Sequence, residues 1–86
     1  MHEASLMRDL MRRIETLAAG DGAARVVGVR VRLGALSHFS PAHFTEHFEE
    51  ASRGGIAEGA ALAIETDDDI AAPDAQTVRL ESIEVE

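Results

Sequence analysis

Between residues 26 and 33 the chain alternates. Val27, Val29, Val31 and Leu33 fall on one face of an extended segment, and Val26, Gly28, Arg30 and Arg32 on the other. A period of two with one apolar face specifies a half-buried strand. Such a strand needs a cover, and the flanking segments supply one with a different period. Leu6, Leu10, Ile14 and Leu17 recur at three- and four-residue spacing, with Met7, Met11 and Ala18 widening the stripe. That predicts an amphipathic helix over residues 4–19, ended by Gly20-Asp21-Gly22. The two arginines on the strand's second face are expected to meet solvent or a partner.

After a loop at 35–39, a second helix is predicted over 41–53. Ser40 is a good N-cap and Pro41 suits the first helical position. Phe39 before the cap and Phe44 at the fourth helical position make the pattern of a hydrophobic staple. Phe44, Phe48 and Ala51 form the expected buried stripe, and Gly54-Gly55 stops the helix. A short strand follows at 61–66, then a loop over 67–76, then a last strand at 77–86. In that strand Val78 and Leu80 share one parity and Ile83 and Val85 the other, which predicts either a bulge near Glu81-Ser82 or a strand covered partly on both faces. The sum is an α/β (α+β) fold of order helix-strand-helix-strand-strand, with two helices packed on one face of a three-stranded mixed sheet.

The size allows one domain, residues 1–86, near the lower end of what folds alone. Its core rests on Leu, Ile, Val, Met and Ala, because the chain has three Phe and no Tyr or Trp. A core that small makes a partner, or a homodimer through an open sheet edge, an expectation. No apolar run approaches the ~20 residues of a membrane span. The amino terminus lacks the basic-then-apolar pattern of a secretory leader, so a cytoplasmic location is expected. With no cysteine, the chain has no disulfide, no thiolate nucleophile and no Cys-bound zinc. Net charge is −8, and past Ala57 only Arg79 is basic. Nucleic acid, which needs a positive face, is an unlikely partner.

The chemistry therefore falls to four histidines. His2 lies beside the terminal amine of Met1. Amine, His2 amide and imidazole can form adjoining chelate rings around one ion, and planar nitrogen donors suit Ni(II) or Cu(II). The amide of Glu3 or a side chain could fill the fourth place. Met1 is expected to stay, since the residue after it is bulky. The alternative is a solvated terminal residue. His43 and His47 lie four apart on the second helix and so share a face. They flank Phe44 and Phe48, and no third ligand follows at a closing spacing, so a surface role outweighs a zinc or nickel site or a zinc shared across a dimer. His38, in the loop, either bonds the turn or faces the first helix's start. The run Asp67-Asp68-Asp69 lacks the glycine-spaced pattern of a calcium loop and is taken as solvated.

These pieces resemble the HypA/HybF family. The resemblance is carried by Met1-His2-Glu3 leading into the first helix, Val29 through Phe39, Pro41 with Phe44 through Ala51, Glu58-Gly59-Ala60, and the closing Ser82 to Glu86. It covers residues 1–66 and resumes at the last strand. It implies a nickel metallochaperone for [NiFe]-hydrogenase maturation, with His2 as nickel ligand, Met1 and the Glu3 backbone as further donors, and the Glu3 side chain orienting or docking. It also implies a HypB-type GTPase and a hydrogenase large subunit as partners, and no catalysis by the chain itself. Family members carry two Cys-x-x-Cys pairs binding a structural zinc between the last two strands. Here residues 67–76 stand in that place without cysteine, so Ni(II) and no zinc is the expected cargo. The alternative is a metal-independent interaction module that docks on a maturation partner, having lost metal delivery.

Overall fold

Strand β1, Val26–Leu33, is the centre of the molecule. In this computed structural model, which describes residues 2–86 and side chains from Ala4 onward, β1 lies between two partners in the order β2-β1-β3. It pairs in parallel with β2, Ala61–Thr66, and antiparallel with β3, Val78–Val85. The parallel pair requires a crossover, and helix α2, Pro41–Ser52, provides it. Helix α1, His2–Gly20, precedes the sheet. Both helices pack on one face, giving the expected mixed sheet and element order.

The core forms where the helical stripes meet β1. Met7, Leu10, Ile14 and Ala18 of α1 and Phe44 and Phe48 of α2 are buried against Val26, Val29, Val31 and Leu33. The two buried phenylalanine rings stack with centroids 6.3 Å apart. Two stripe residues differ from expectation. Leu17 is 49% exposed, while Ala18, expected at the edge of the stripe, is fully buried. The helix end explains the exchange. The Ala23 N–H donates to the Ala18 carbonyl (3.0 Å) and the Gly22 N–H to that of Ala19 (3.1 Å), a Schellman closure with Gly22 at φ +65°. That closure brings Ala23 over Ala18, and both join the core. In α2, Ala51 is exposed and Ser52 is buried, completing a stripe at Phe44, Phe48 and Ser52. Its hydroxyl donates to the Glu49 carbonyl (3.4 Å), so the burial is not left unsatisfied.

Two bulges set the faces of β3 and β1. Between Arg30↔Ser82 and Val31↔Leu80 the register skips Glu81, where the phase change of β3 predicted a bulge. A second skip, at Val27 between Val26↔Val85 and Gly28↔Glu84, is not visible in the alternation. It turns Val26 inward, to 1% exposure, and leaves Val27 half-buried, the reverse of the expected parity.

The face of β1 away from the helices is ionic. Arg30 pairs with Glu65 at 3.6 Å. Arg32 donates to Asp67 at 2.7 Å and to Glu65 at 2.9 Å, and lies 3.8 Å from Glu81. Arg79 reaches Glu81 and Asp74, each at 3.2 Å. The arginines expected to face solvent or a partner are thus matched by acids of β2, β3 and the connector. Asp67, by its hydrogen bond and its charge, raises the Arg32 guanidinium above its ordinary pKa. Since that group is protonated at any working pH, the effect adds no pH switch.

The segment between β2 and β3 is tied down. The Asp67 N–H donates to Leu33 O (2.9 Å), Leu36 N–H to Ala75 O (2.7 Å) and Gly34 N–H to Thr77 O (2.9 Å). Ala75 is buried at 4% exposure. The Ala75 carbonyl runs so close over Gly34 that a Cβ there has no room, so the position requires glycine.

Candidate metal site

Of the predicted donors, Met1 lies outside the described residues, as do the side chains of His2 and Glu3. What the structure gives is the backbone they stand on. Helix α1 starts at His2, two residues earlier than the apolar periodicity indicates. The first four N–H groups of a helix have no acceptor within it. The His2 and Glu3 amides belong to that set, so neither would have to leave a helical hydrogen bond to meet a cation. The positive end of the helix dipole opposes a bare divalent ion there. Amide nitrogens bind a metal only after losing their protons, however, and the charge they then carry offsets that field.

The second histidine pair is fully described. Ser40 caps α2, its Oγ accepting from the His43 N–H at 3.1 Å, and Pro41 takes the first helical position. Phe39 closes edge-on over Phe44, centroids 5.4 Å apart at 85°, so the staple expected from the sequence is formed. The same Phe39 ring lies 5.5 Å from the His43 ring and 6.1 Å from the His47 ring. The two imidazoles meet at Nε2, 2.9 Å apart, with ring centroids at 4.6 Å. Both are half-buried. The sequence placed them on one face, and it was Phe39, four residues before His43, that carried no sign of bracing them.

The other candidates separate from these. His38 is exposed with φ +68°, a left-handed conformation that histidine tolerates better than most residues. Asp67 is engaged by Arg32, and Asp69 Oδ1 accepts from the Ala71 N–H at 3.0 Å. The acidic run is therefore part of a structured connector. Among the described residues no three His, Asp or Glu side chains converge on one point, so His38 does not join His43 and His47. A cleft of about 500 Å³ separates the first turns of α1 from α2, lined by Ala4, Met7, Arg8 and Met11 on one side and His47, Glu50 and Ala51 on the other. No helix among the described residues is long and apolar enough to cross a membrane.

Comparison with known proteins gives a consistent picture. The family model described as hydrogenase/urease nickel incorporation, metallochaperone, hypA matches residues 1–84. The hydrogenase maturation factor HypA of Methylocella silvestris is 40% identical over 65 residues, covering 76% of this chain and 58% of that protein. HypA of Escherichia coli K12 is 38% identical over 65 residues, covering 76% and 56%. The chain spans about half the length of the curated relatives it matches. The solution structure of the Ni metallochaperone HypA from Helicobacter pylori superposes with a TM-score of 0.77 at 20% identity, covering 96% of each chain. That likeness shows the fold.

Proposed function

From its membership of the HypA family of hydrogenase/urease nickel-incorporation metallochaperones, we propose that this chain holds Ni(II) at Met1, His2 and Glu3 and gives it up to the maturation of a nickel enzyme. The observation that carries this reading is the extent of the family match, which begins at residue 1 and so includes the Met-His-Glu segment. The helix starting at His2 supports it, because two amides of the first turn are free of helical acceptors.

The chemistry follows from the donors. The terminal amine, the His2 amide and the His2 imidazole close adjoining rings in one plane, and the Glu3 amide supplies a fourth nitrogen, a set suited to square-planar Ni(II). All donors lie at the chain end. A recipient protein can displace them one at a time, so the ion need not be released to water between holders. The chain acts as a carrier and catalyses nothing. A HypB-type GTPase and a hydrogenase large subunit are the partners this role calls for, in the cytoplasm. Residues 67–76 take the place of the family's cysteine-bearing zinc module, so nickel is held without a zinc centre on this chain.

Titration of Ni(II) into protein with its native start, and into His2→Ala, tests the reading through the visible absorption of planar nickel and the heat of binding. The wild type should show both, and His2→Ala should lose the planar absorption together with the heat that accompanies it. Equal binding by the two removes the His2 role. No binding by either leaves a docking module that has lost metal delivery. The protein must carry no amino-terminal tag, because any added residue moves the amine away from His2.

A further inference from the structure

The His43–His47 pair takes no part in the amino-terminal scheme, and its geometry suits a ligand of its own. Two imidazole nitrogens bound at ~2.0–2.1 Å to one ion, at a right angle, stand ~2.9 Å apart, whereas a tetrahedral angle opens them to about 3.3 Å. The observed Nε2···Nε2 distance is 2.9 Å. The ring centroids are only 4.6 Å apart, closer than an end-to-end meeting of the two nitrogens would place them. The rings are thus angled to the line between their nitrogens, as they must be for two lone pairs to meet on a third atom. Without a metal, the same contact is a hydrogen bond from the Nε2–H of one ring to the bare Nε2 of the other.

The pair is also held before any ligand arrives. Phe39 packs on both rings, Phe44 fixes Phe39, and the Ser40 cap fixes the backbone of His43. Ligands locked by packing on a rigid element lose little freedom on binding. Both rings are half-buried, so one side of the pair stays open to water or to a donor from another molecule. The charged groups nearby are of both signs: Glu46 on α2, and Glu50 and Arg8 lining the cleft beside His47.

We infer that His43 and His47 form a second cation site, in which the two Nε2 atoms bind a late first-row divalent ion, nickel among them, with water completing the shell. The right-angled spacing favours six-coordinate or square ions over tetrahedral ones. Binding needs both rings in the Nδ1–H form, so the proton between the two Nε2 atoms moves to a ring Nδ1 through solvent. The site adjoins the cleft that Ala4 also lines, two residues from His2. It stands independently of the amino-terminal reading.

The test is a titration of Ni(II) into the full chain with its native start, and into His2→Ala, followed by the ring proton resonances of the histidines. Six-coordinate nickel on imidazole is paramagnetic. The resonances of His43 and His47 should therefore broaden at metal concentrations that leave His38 sharp, in both proteins. His43→Gln/His47→Gln should weaken this second binding by at least about tenfold while planar-nickel absorption persists. The inference is overturned if His43 and His47 stay sharp, or broaden together with His38. The resonance test needs no change in α2, so it stands even if the double variant folds poorly. Broadening of the pair without planar absorption in either protein would sink the amino-terminal reading and leave this one standing.

Discussion

The first turns of α1 and the second half of α2 border one cleft, yet the two helices offer a cation different things. At the start of α1 the proposed donors are neighbours along the chain, joined by covalent bonds. Their chelate rings close whether or not the rest of the protein is folded. At α2 the two imidazoles are four residues apart and meet only when the helix exists and Phe39 is stapled over it. One set is assembled by sequence, the other by fold. The difference predicts that they respond oppositely to loss of structure.

Phe44→Ala offers the sharpest separation. It removes a fully buried ring on which Phe39 rests and should cost ~3–5 kcal/mol, a large share of the ~5–15 kcal/mol typical of a domain. Urea denaturation should report that loss. The nickel response of His43 and His47 should fade with it, while planar-nickel absorption at the amino terminus stays. Joint loss of both would break the comparison. Next in size, His2→Ala, or one glycine ahead of Met1, should weaken amino-terminal nickel by at least about a hundredfold, ~2.7 kcal/mol, with the metal-free melting temperature unchanged. Calorimetry and a thermal melt check the two halves. Substituting both α2 histidines by glutamine should cost the second site about tenfold, ~1.4 kcal/mol, seen as a lost class of binding heat. The smallest effect is expected from Ser40→Ala. Removing this cap should destabilise the protein by ~1 kcal/mol and loosen His43, whose N–H it accepts. A denaturation curve and the sharpness of the His43 ring signal in metal-free protein test it.

What the sequence disclosed follows the same division between local and assembled. The cap, the staple and the strand of alternating valines are short-range patterns, and each is present where its residues predict it. The bulge at Glu81 was legible because it shifts the phase of apolar residues within one strand. The bulge at Val27 was hidden, because Val26 and Val27 are both apolar and either parity reads as sensible. Leu17 and Ala18 exchange places for a related reason: periodicity leaves the stripe's edge open, and a backbone closure at Ala23 decides it. The Arg32 cluster could not be seen before the strand order was known. Only the register that sets Arg32 opposite Glu65 puts those charges together. For the candidate metal site, adjacency alone left His2 open between a chelating terminus and a solvated one, the family resemblance favoured the first, and the side chains concerned lie outside the described residues. The spacing of His43 and His47 was also legible, but their 2.9 Å approach depends on an aromatic brace from before the helix.

The two faces of the sheet rank differently in energy. Exposed and half-exposed ion pairs are screened by water and each contributes little, whereas Ile14, Phe44 and Phe48 are almost wholly removed from it. The ionic layer links β2, β3 and the connector across β1 through Arg32.

Because β1 separates β2 from β3, the chain leaving Thr66 must cross the end of β1 to reach Val78, and Gly34 is the point it crosses. Adjacent strands are ~4.8 Å apart, so exit and return stand about 10 Å from each other. That gap is a port through which inserts of very different length can leave and re-enter without disturbing a single strand pairing. Closing a longer loop is inexpensive, about 0.6 kcal/mol for each doubling. Evolution can therefore enlarge or shrink what hangs from this port while the helical layer of α1 and α2 keeps its shape.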